Sequence, residues 1–426
     1  MKKIAYILFF VLMGMNLTAQ NYVSYWDGSR EAIREGAGTE EDPYIIRNAQ
    51  QFAWLVYLIN WDYGKWASGK YFLLTTDIDL NGGPENQWIP IGAGSSLSDF
   101  KAFNGVFDGG FHKITGLYID NDNPLDNETS VWYGPTNAAF FSSVGNGVIK
   151  NLYLEGTITN SNRSAGFSGQ GGVYEYCVSN VELVNNTNPT GGIVVSDGTV
   201  RYSANLGNIK GGLGVGGVGG FKCTVENSYN MGRIEGIDRL GGIAGYIMNG
   251  NTLKNCYNVG DVVYDENVNY IGAIVSVVIS QSHVENCYYL EGCVANPNEY
   301  GEPKTAEFMR SDEFVNLLNN ETDVWVMDTE NTNDGYPVFG NTPYGVDEIL
   351  SEFSDVVVVY PNPVTDYVCV VGNVTSCDIY DIVGKRIKSV SSDIDNISVT
   401  DLQSGIYMMR FVTKNWNVVT KKIVKR

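Results

Sequence analysis

One pattern of apolar and polar positions recurs through the middle of the chain. Residues 199–209 read Thr-Val-Arg-Tyr-Ser-Ala-Asn-Leu-Gly-Asn-Ile, and related stretches follow at 224–234 and 252–262. Partial copies lie at 114–118, 148–153, 174–177 and 283–288. All share one small or apolar position, here called the anchor, which falls at Leu117, Leu152, Cys177, Ser203, Ser228, Cys256 and Cys287.

The repeat length and composition predict stacked coils of β-structure. Anchors lie 25–35 residues apart, the units are rich in β-branched residues, and 16 of the 55 residues at 191–245 are Gly. Such a unit cannot bury its apolar face alone, but it can when stacked on its neighbours. The predicted fold class is all-β, a right-handed parallel β-helix (β-solenoid) of about seven coils. A β-propeller is the alternative, although its repeats usually run to roughly 40–50 residues.

Polar residues share the anchor's face of the predicted strands. Asn205, Asn230 and Asn258 each lie two residues beyond an anchor, and period-two alternation turns them inward. We expect them to hydrogen-bond along the coil axis, since a buried amide without a partner costs on the order of 1–3 kcal/mol. The Gly pairs between anchors are expected to supply backbone conformations that a Cβ atom forbids.

Helical periodicity predicts small caps at both ends of the solenoid. Asn48 suits an N-cap position, and one face of the following helix would carry Phe52, Leu55, Val56 and Ile59. This helix is predicted to cover the first coil and residues 305–319 the last, because an exposed sheet edge invites aggregation.

The two ends of the chain differ from its body. Lys2 and Lys3 precede an apolar run that is too short to cross a bilayer comfortably, and Ala19 offers a cleavage point, as in a signal peptide. Residues 356–426 show six or seven short strand-like runs separated by turns, which predicts a small Ig-like β-sandwich. The predicted domains are a signal peptide at 1–19, a solenoid at 20–345, a linker at 346–355 and a C-terminal domain at 356–426.

Composition and charge narrow the function. The 426 residues carry a net charge of −20, of which residues 20–355 account for −25 and residues 356–426 for +3. So acidic a body argues against nucleic-acid partners. After signal removal, no remaining apolar run is long enough for a transmembrane segment, so a secreted or outer-surface protein is expected.

Few residues suit catalysis. The only two His, His112 and His283, do not form the His-Glu-x-x-His motif of a metallopeptidase, and no Gly-x-Ser-x-Gly elbow occurs. The anchor Cys residues indicate buried thiols rather than a disulfide framework. Cys369 and Cys377 lie in the C-terminal domain, where either a pair or two strand interiors fits.

Two sets of residues are candidates for binding. Asp77, Asp79 and Asn81 match the first positions of an EF-hand loop, but Trp88 occupies the twelfth position, where that loop has Glu. The prediction of a calcium site therefore depends on a partial motif. No other cofactor is expected. Five tyrosines directly follow anchors and would form an outward line with a spacing of about 4.8 Å, suited to a sugar or peptide surface. The alternative is a stabilising ladder. These are Tyr118, Tyr153, Tyr229, Tyr257 and Tyr288.

The repeats resemble the GLUG repeat of surface and adhesin-like proteins. The resemblance extends through 42–46, 71–80, 88–92 and 103–109 to 333–337, and so covers about 40–340. It implies a β-helix and an extracellular location more than an activity. Some immunoglobulin-cleaving metallopeptidases share this region, but the zinc-binding motif of a peptidase is missing here.

The C-terminal domain closely resembles the type A sorting domain of cargo for the type IX secretion system of Bacteroidetes-like bacteria. The resemblance implies contact with the type IX machinery, passage across the outer membrane and removal of the domain. The matching positions are Tyr360, Pro361, Asn362, Pro363, Asp381, Gly384, Lys385, Gly405, Tyr407, Lys421, Lys422 and Lys425.

The sequence favours a secreted or cell-surface, non-enzymatic, adhesin-like protein that binds a glycan or another surface polymer. The alternative is a polysaccharide lyase or glycoside hydrolase built on the same solenoid. An inverting hydrolase would need two carboxylates roughly 6.5–9.5 Å apart.

Removal of residues 356–426 is predicted to block export. Because the sorting resemblance rests on this segment, the truncated chain should stay inside the cell while the full-length chain reaches the medium or the outer surface. Immunoblots of cell, surface and medium fractions, with the same epitope tag on both chains, check this. Normal arrival of the truncated chain outside the cell would contradict it.

Overall fold

The repeated pattern folds as a stack of parallel strands. The computed structural model describes residues 23–62, 65–93, 101–122, 137–184, 187–264, 268, 270–320, 322–340, 357–360, 363–371, 374–392, 394, 396–413 and 418–426. The predicted signal peptide, the predicted linker, Pro361 and Asn362 lie outside these residues.

The solenoid is built from short strands and one N-terminal helix, α1 (Ala49–Asp62). Its strands are β1 (Val23–Tyr25), β2 (Tyr44–Ile46), β3 (Tyr71–Leu74), β4 (Asp77–Asp79), β5 (Val106–Asp120), β6 (Val148–Thr159), β7 (Ser164–Ala165), β8 (Val173–Val184), β9 (Thr190–Gly191), β10 (Val194–Ser196), β11 (Thr199–Arg201), β12 (Ala204–Asn205), β13 (Ile209–Lys210), β14 (Leu213–Gly216), β15 (Gly219–Phe221), β16 (Thr224–Glu226), β17 (Tyr229–Asn230), β18 (Ile234–Gly236), β19 (Asp238–Gly241), β20 (Ala244–Ile247), β21 (Thr252–Lys254), β22 (Tyr257–Asn258), β23 (Val262–Tyr264), β24 (Ile271–Gly272), β25 (Val275–Val278), β26 (His283–Glu285), β27 (Tyr288–Leu290) and β28 (Glu302–Lys304).

Two smaller units follow. Helices α2 (Ala306–Met309) and α3 (Asp312–Asn319) precede a hairpin of β29 (Trp325–Val326) and β30 (Val338–Phe339). The C-terminal domain contains β31 (Val358–Tyr360), β32 (Tyr367–Val371), β33 (Val374–Asp381), β34 (Arg386–Val390), β35 (Asn396–Ser398), β36 (Gly405–Thr413) and β37 (Val418–Lys425).

The interior of the solenoid consists of side-chain columns, in which each residue lies in parallel register with its equivalent in the next coil. One column is apolar throughout, and burial of such residues is the main favourable term in forming the stack. It runs through Phe72, Phe107, Ile149, Tyr174, Val200, Val225, Leu253 and Val284. The all-β parallel solenoid is thereby confirmed.

The anchors form a second column, with one correction. Leu152, Cys177, Ser203, Ser228, Cys256 and Cys287 follow one another in adjacent coils. Leu117 does not belong to the column, because it pairs with Gly156, while Leu152 lies opposite His112. Register shifts inside the long pairing of β5 with β6 displace Leu117, which the spacing alone did not reveal.

The predicted asparagine ladder is present. Asn205 donates from Nδ2 to Asn230 Oδ1, and Asn230 donates to Asn258 Oδ1, each over 2.8 Å. The second Nδ2 hydrogen of each goes to a backbone carbonyl two residues further along. All three side chains are fully buried, and the ladder satisfies most of their polar atoms within the core.

The glycine pairs at 191–192, 216–217 and 241–242 serve space rather than a left-handed conformation, which corrects the sequence interpretation for them, whereas Gly171 and Gly172 do have positive φ. Gly192, Gly217 and Gly242 have no positive φ, but a Cβ on any of them would overlap a backbone carbonyl of the next coil and an asparagine amide of the ladder. The ladder therefore fills the volume that side chains at these positions would occupy.

A left-handed residue turns each coil just before the anchor. These positions have φ between 46° and 54°, and the last three are Asn, which tolerates this region better than most residues. Their amides form a second ladder, in which Asn286 donates to Asn255 and Asn255 to Asn227, each over 3.2 Å. The left-handed residues are Asn151, Tyr176, Tyr202, Asn227, Asn255 and Asn286.

Helix α1 caps the first coils as predicted. Gln51 donates its backbone N–H to Asn48 Oδ1 over 2.8 Å, which is the expected N-cap bond. Phe52 stacks on Trp88 and on Phe140, with ring centroids 5.5 Å and 5.6 Å away. The four predicted inward residues of the helix are all buried.

Residues 305–340, here called the flank segment, do not close the interior core at the end of the stack. They pack along one side of the solenoid, where Phe314 and Trp325 lie against the outward residues of several coils. The prediction of an end cap at 305–319 is therefore wrong. The helical periodicity was correct, but it could not indicate which surface the helix would cover.

The C-terminal domain forms two antiparallel sheets, with strand orders β31-β32-β35 and β34-β33-β36-β37. Both sheets contribute to one core, for example through Val368 and Phe411. The sandwich-like arrangement is confirmed, and the narrower Ig-like class stays a prediction. Within the described parts of the chain, no helix has the length and apolar character needed to cross a membrane.

Substitution Gly217→Ala should strongly destabilise the solenoid. The added methyl group would overlap the Gly242 carbonyl and the Asn230 amide, and overpacking of this kind costs about 1–3 kcal/mol or more. Gly83→Ala is the matched control, because its Cβ would meet nothing within 4 Å. Urea unfolding of the two variants checks this, and equal stability would contradict the spatial role of the glycine.

Candidate functional site

The predicted exposed line of tyrosines is not a free surface. Tyr229, Tyr257 and Tyr288, here called the tyrosine row, occupy adjacent coils in register, and Tyr229 stacks on Tyr257 at 4.9 Å. Alternation does turn them away from the solenoid core. However, the flank segment covers them, and all three are buried. Their prediction as an exposed ligand face is therefore wrong.

Tyr257 joins the solenoid to the flank segment. Its hydroxyl donates to the Pro337 carbonyl and accepts from Asn333 Nδ2 over 2.9 Å. Burial raises the pKa of Tyr257 well above its usual value. The row therefore works as the stabilising ladder that the sequence left as the alternative.

The other two candidate tyrosines lie apart from this row. Tyr153 is in register with Val178 rather than with another tyrosine, and burial together with Glu155 raises its pKa to about 12. Tyr118 pairs with Thr157, in a different column. Both side chains are half-buried, and they do not continue a line of aromatic rings.

The partial calcium motif lies on the outward side of β4. Asp77 Oδ1 accepts from His112 Nδ1 over 2.9 Å, and Asp79 Oδ1 accepts from the Asn81 backbone N–H over 2.7 Å. Burial raises the pKa of Asp77, but the hydrogen bonds from His112 and the Lys113 backbone outweigh it and lower that pKa. Within the described residues, no group of three or more His, Cys, Asp or Glu side chains could hold a metal ion. Calcium binding stays a prediction.

The described thiols are buried and free. Burial raises the pKa of Cys223, Cys293 and Cys377 to about 12, so the reactive thiolate form is disfavoured at neutral pH. The free cysteines are Cys177, Cys223, Cys256, Cys287, Cys293 and Cys377.

The solenoid sheet that contains β5, β6, β8, β11, β16, β21 and β26 is here called the first sheet. Its outer face carries a column of alternating charge that was not predicted from the sequence. Arg201 lies between Glu175 and Glu226, at 3.7 Å and 2.9 Å, and Lys254 pairs with Glu285 at 3.3 Å. A signal was available, because charge alternates at the third position of every repeat. The column consists of Asp108, Lys150, Glu175, Arg201, Glu226, Lys254 and Glu285.

A cluster of aromatic rings on another side of the solenoid was also missed. Phe221 on β15 is in register with Tyr246 on β20, and the two rings stack at 5.4 Å with an angle of 20° between them. Tyr270 lies next to them and is 47% exposed. These three residues are here called the aromatic patch. Phe221 and Tyr246 each follow a glycine-rich stretch, where no regular alternation of apolar and polar residues marks an outward position.

Cations lie over the aromatic patch. Arg163 and Lys222 approach the Phe221 ring at 5.5 Å and 5.6 Å. Arg239 lies 5.9 Å from the Tyr246 ring centroid and 5.6 Å from that of Tyr270. Burial raises the pKa of Tyr246, while Arg239 and Arg163 oppose that shift.

The positions that match a sorting signal lie mainly in turns and on the last strand of the C-terminal domain. Asp381 Oδ1 accepts from the backbone N–H groups of Val383 and Lys385, and Gly384 has a φ of 82° that closes the turn. Tyr407 donates its hydroxyl to the Gln403 carbonyl over 2.9 Å, just after Gly405 opens β36. Lys421, Lys422 and Lys425 lie on β37, the edge of its sheet, while Tyr360 ends β31 and Pro363 follows in the loop.

Residues 358–426 match the family described as "Secretion system C-terminal sorting domain". The C-terminal domain is thus a type IX sorting domain, which interacts with the type IX secretion machinery. The protein is secreted or displayed at the outer cell surface.

Two further proteins are similar to parts of this chain. Halomucin from Haloquadratum walsbyi is 29% identical over 160 residues, which cover 32% of this chain and 2% of halomucin. The chain thus matches only a small fraction of that protein. A crystal structure from Bacteroides ovatus, provisionally designated an immunoglobulin A1 protease, aligns with a TM-score of 0.46 and 21% identity, over 72% of this chain and 94% of that one.

Substitution Tyr257→Phe should destabilise the contact between the flank segment and the solenoid. It removes the two hydrogen bonds of the hydroxyl, while Asn333 Nδ2 still reaches the Tyr336 and Pro337 carbonyls at 3.2 Å and 3.4 Å, so each lost bond should cost about 0.5–1.5 kcal/mol. Tyr229→Phe is the matched control, because within the described residues its hydroxyl makes no such pair of bonds. Limited proteolysis at the flank segment and urea midpoints check this. Equal effects of the two substitutions would show that the hydroxyl is unimportant.

Proposed function

We propose that this protein is a non-enzymatic, adhesin-like binding protein that contacts a glycan on the outside of the cell. The sorting domain supplies the extracellular address. The solenoid of the GLUG type, which the repeats resemble, would supply a rigid display surface after the predicted signal peptide is removed.

The aromatic patch is the observation that carries this proposal. Phe221 and Tyr246 present stacked rings from adjacent coils, and Tyr270 adds a partly exposed ring beside them. Flat aromatic side chains with polar edges suit the apolar faces of sugar rings, and each ring adds contact area at low entropic cost. Parallel register keeps the rings on one side, so an extended polymer could contact more than one coil.

The outward carboxylates of the first sheet favour binding over hydrolysis. Glu175, Glu226 and Glu285 are each ion-paired with a cation of a neighbouring coil. The positions of these carboxylates are explained by ion pairs between adjacent coils, because like charges at opposite positions would repel each other. A polysaccharide-degrading enzyme on the same solenoid stays the alternative and enters the test below.

Loss of the patch should weaken binding to polysaccharide. Affinity electrophoresis of the secreted protein through gels that contain neutral or acidic polysaccharides identifies a bound polymer. Tyr246→Ala should then weaken the apparent affinity up to roughly tenfold, because a stacked aromatic contact contributes about 0.5–1.5 kcal/mol beyond the area that it buries. Trp61→Ala, which removes a 71% exposed ring from α1, is the matched control.

Two outcomes would overturn the proposal. Unchanged retardation of the folded Tyr246→Ala variant, or an equal loss in Trp61→Ala, would remove the patch as the site. Release of reducing sugar by the wild-type protein, abolished by a single carboxylate substitution, would instead establish the enzyme alternative.

A further inference from the structure

The aromatic patch differs in charge from the body around it. Residues 20–355 carry a net charge of −25. Three cations nevertheless lie 5.5–5.9 Å from the centroids of the aromatic rings in this patch. They come from separate parts of the chain, and the coil stack brings them together. They are Arg163, Lys222 and Arg239.

The nearby carboxylates do not cancel these cations. Asp238 forms an ion pair with Arg239 at 3.3 Å, and Asp197 is an exposed carboxylate that acts on Arg163. Among the described residues of the cluster, three cations and two carboxylates leave an excess of one positive charge. Because salt screens charges beyond a Debye length of about 8 Å at physiological ionic strength, a ligand at the patch responds mainly to this local excess.

Arg163 is fixed beside the aromatic patch. One of its terminal nitrogens donates to Ser196 Oγ over 2.9 Å, which fixes the guanidinium beside Phe221. Its Nε atom is buried and makes no hydrogen bond in the described part of the chain, so only the terminal nitrogens of the guanidinium could contact a ligand. A planar guanidinium held in this way is suited to carboxylate or sulfate groups, which it can bind through two parallel hydrogen bonds.

We propose that the aromatic patch with Arg163, Lys222 and Arg239 is a binding site for an anionic polysaccharide, one whose sugar rings carry carboxylate or sulfate groups. The rings contact the apolar sugar faces, and the cations pair with the anionic substituents. This inference rests on the proposed glycan-binding function and adds the ligand class. A neutral glycan would leave the excess positive charge of the patch unpaired.

A matched pair of ligands tests the charge requirement. Polygalacturonate and its fully methyl-esterified form share one backbone but carry ionised carboxylates or neutral esters, and dextran sulfate and dextran form a second pair for sulfate. The secreted wild-type protein should bind at least one anionic member roughly tenfold more tightly than its neutral partner, since hydrogen bonds to charged groups contribute about 1.5–3 kcal/mol. Isothermal titration measures each affinity.

Charge-removing variants locate the site. Arg239→Gln and Lys222→Gln should each lower affinity for the anionic polymer several-fold while leaving affinity for the neutral partner unchanged. Arg163→Gln serves as a third variant if its thermal midpoint shows that it folds. Lys210→Gln is the matched control, because this exposed lysine pairs with Glu235 on a different sheet.

The outcomes separate this inference from the proposed function. Equal binding of charged and neutral partners, with loss of both in Tyr246→Ala, would overturn the charge requirement and leave glycan binding intact. Absence of binding to every polysaccharide would overturn both. Equal binding of single-stranded DNA and of the anionic polysaccharides would overturn the assignment of a sugar ligand.

Discussion

The close approach of asparagine amides to glycine backbone across the coil interior is the interaction on which the solenoid depends. Asn230 fills the volume beside Gly217, and it also bonds to its equivalents above and below. A fully buried amide can remain in the core only if its bonds are made, so each coil must sit in register with the next. Slippage by one residue would break the ladder and place methyl-sized clashes between coils.

The register of the interior columns also determines which surface residues are neighbours. Once the interior columns are aligned, residues at equivalent outward positions lie next to one another. The alternating ion pairs, the stacked tyrosine row and the stacked rings of Phe221 and Tyr246 all follow from the same alignment. Exposed ion pairs contribute little stability individually, about 0.2–1 kcal/mol. Because the charges alternate from coil to coil, the native register places opposite charges next to each other, whereas a shift by one coil would bring like charges together.

The outward positions are also where the protein can carry function. The interior tolerates few changes, whereas outward side chains can vary from coil to coil without disturbing the stack. The flank segment covers one such face, and the patch occupies another. The sorting signal lies in a separate domain with its own core, so export and binding depend on different parts of the chain.

The sequence by itself determined the parallel solenoid, the asparagine ladder, helix α1 and the sorting domain. Each of these features depends on local residue spacing or on a short ordered motif, and both kinds of signal can be recognised in the sequence alone. It also suggested which residues face outward, because alternation along a strand is a local property. The register error at Leu117 arose where bulges interrupt that alternation.

Only the tertiary structure decided which outward residues are free. The tyrosine row and the patch look alike in sequence, since both are aromatic residues at repeated positions. The flank segment buries Tyr257 with contacts from residues about 80 positions away, whereas Arg163 reaches the Phe221 ring of the patch from an earlier coil. Such contacts depend on how distant segments meet in space, and no periodicity along the chain encodes them.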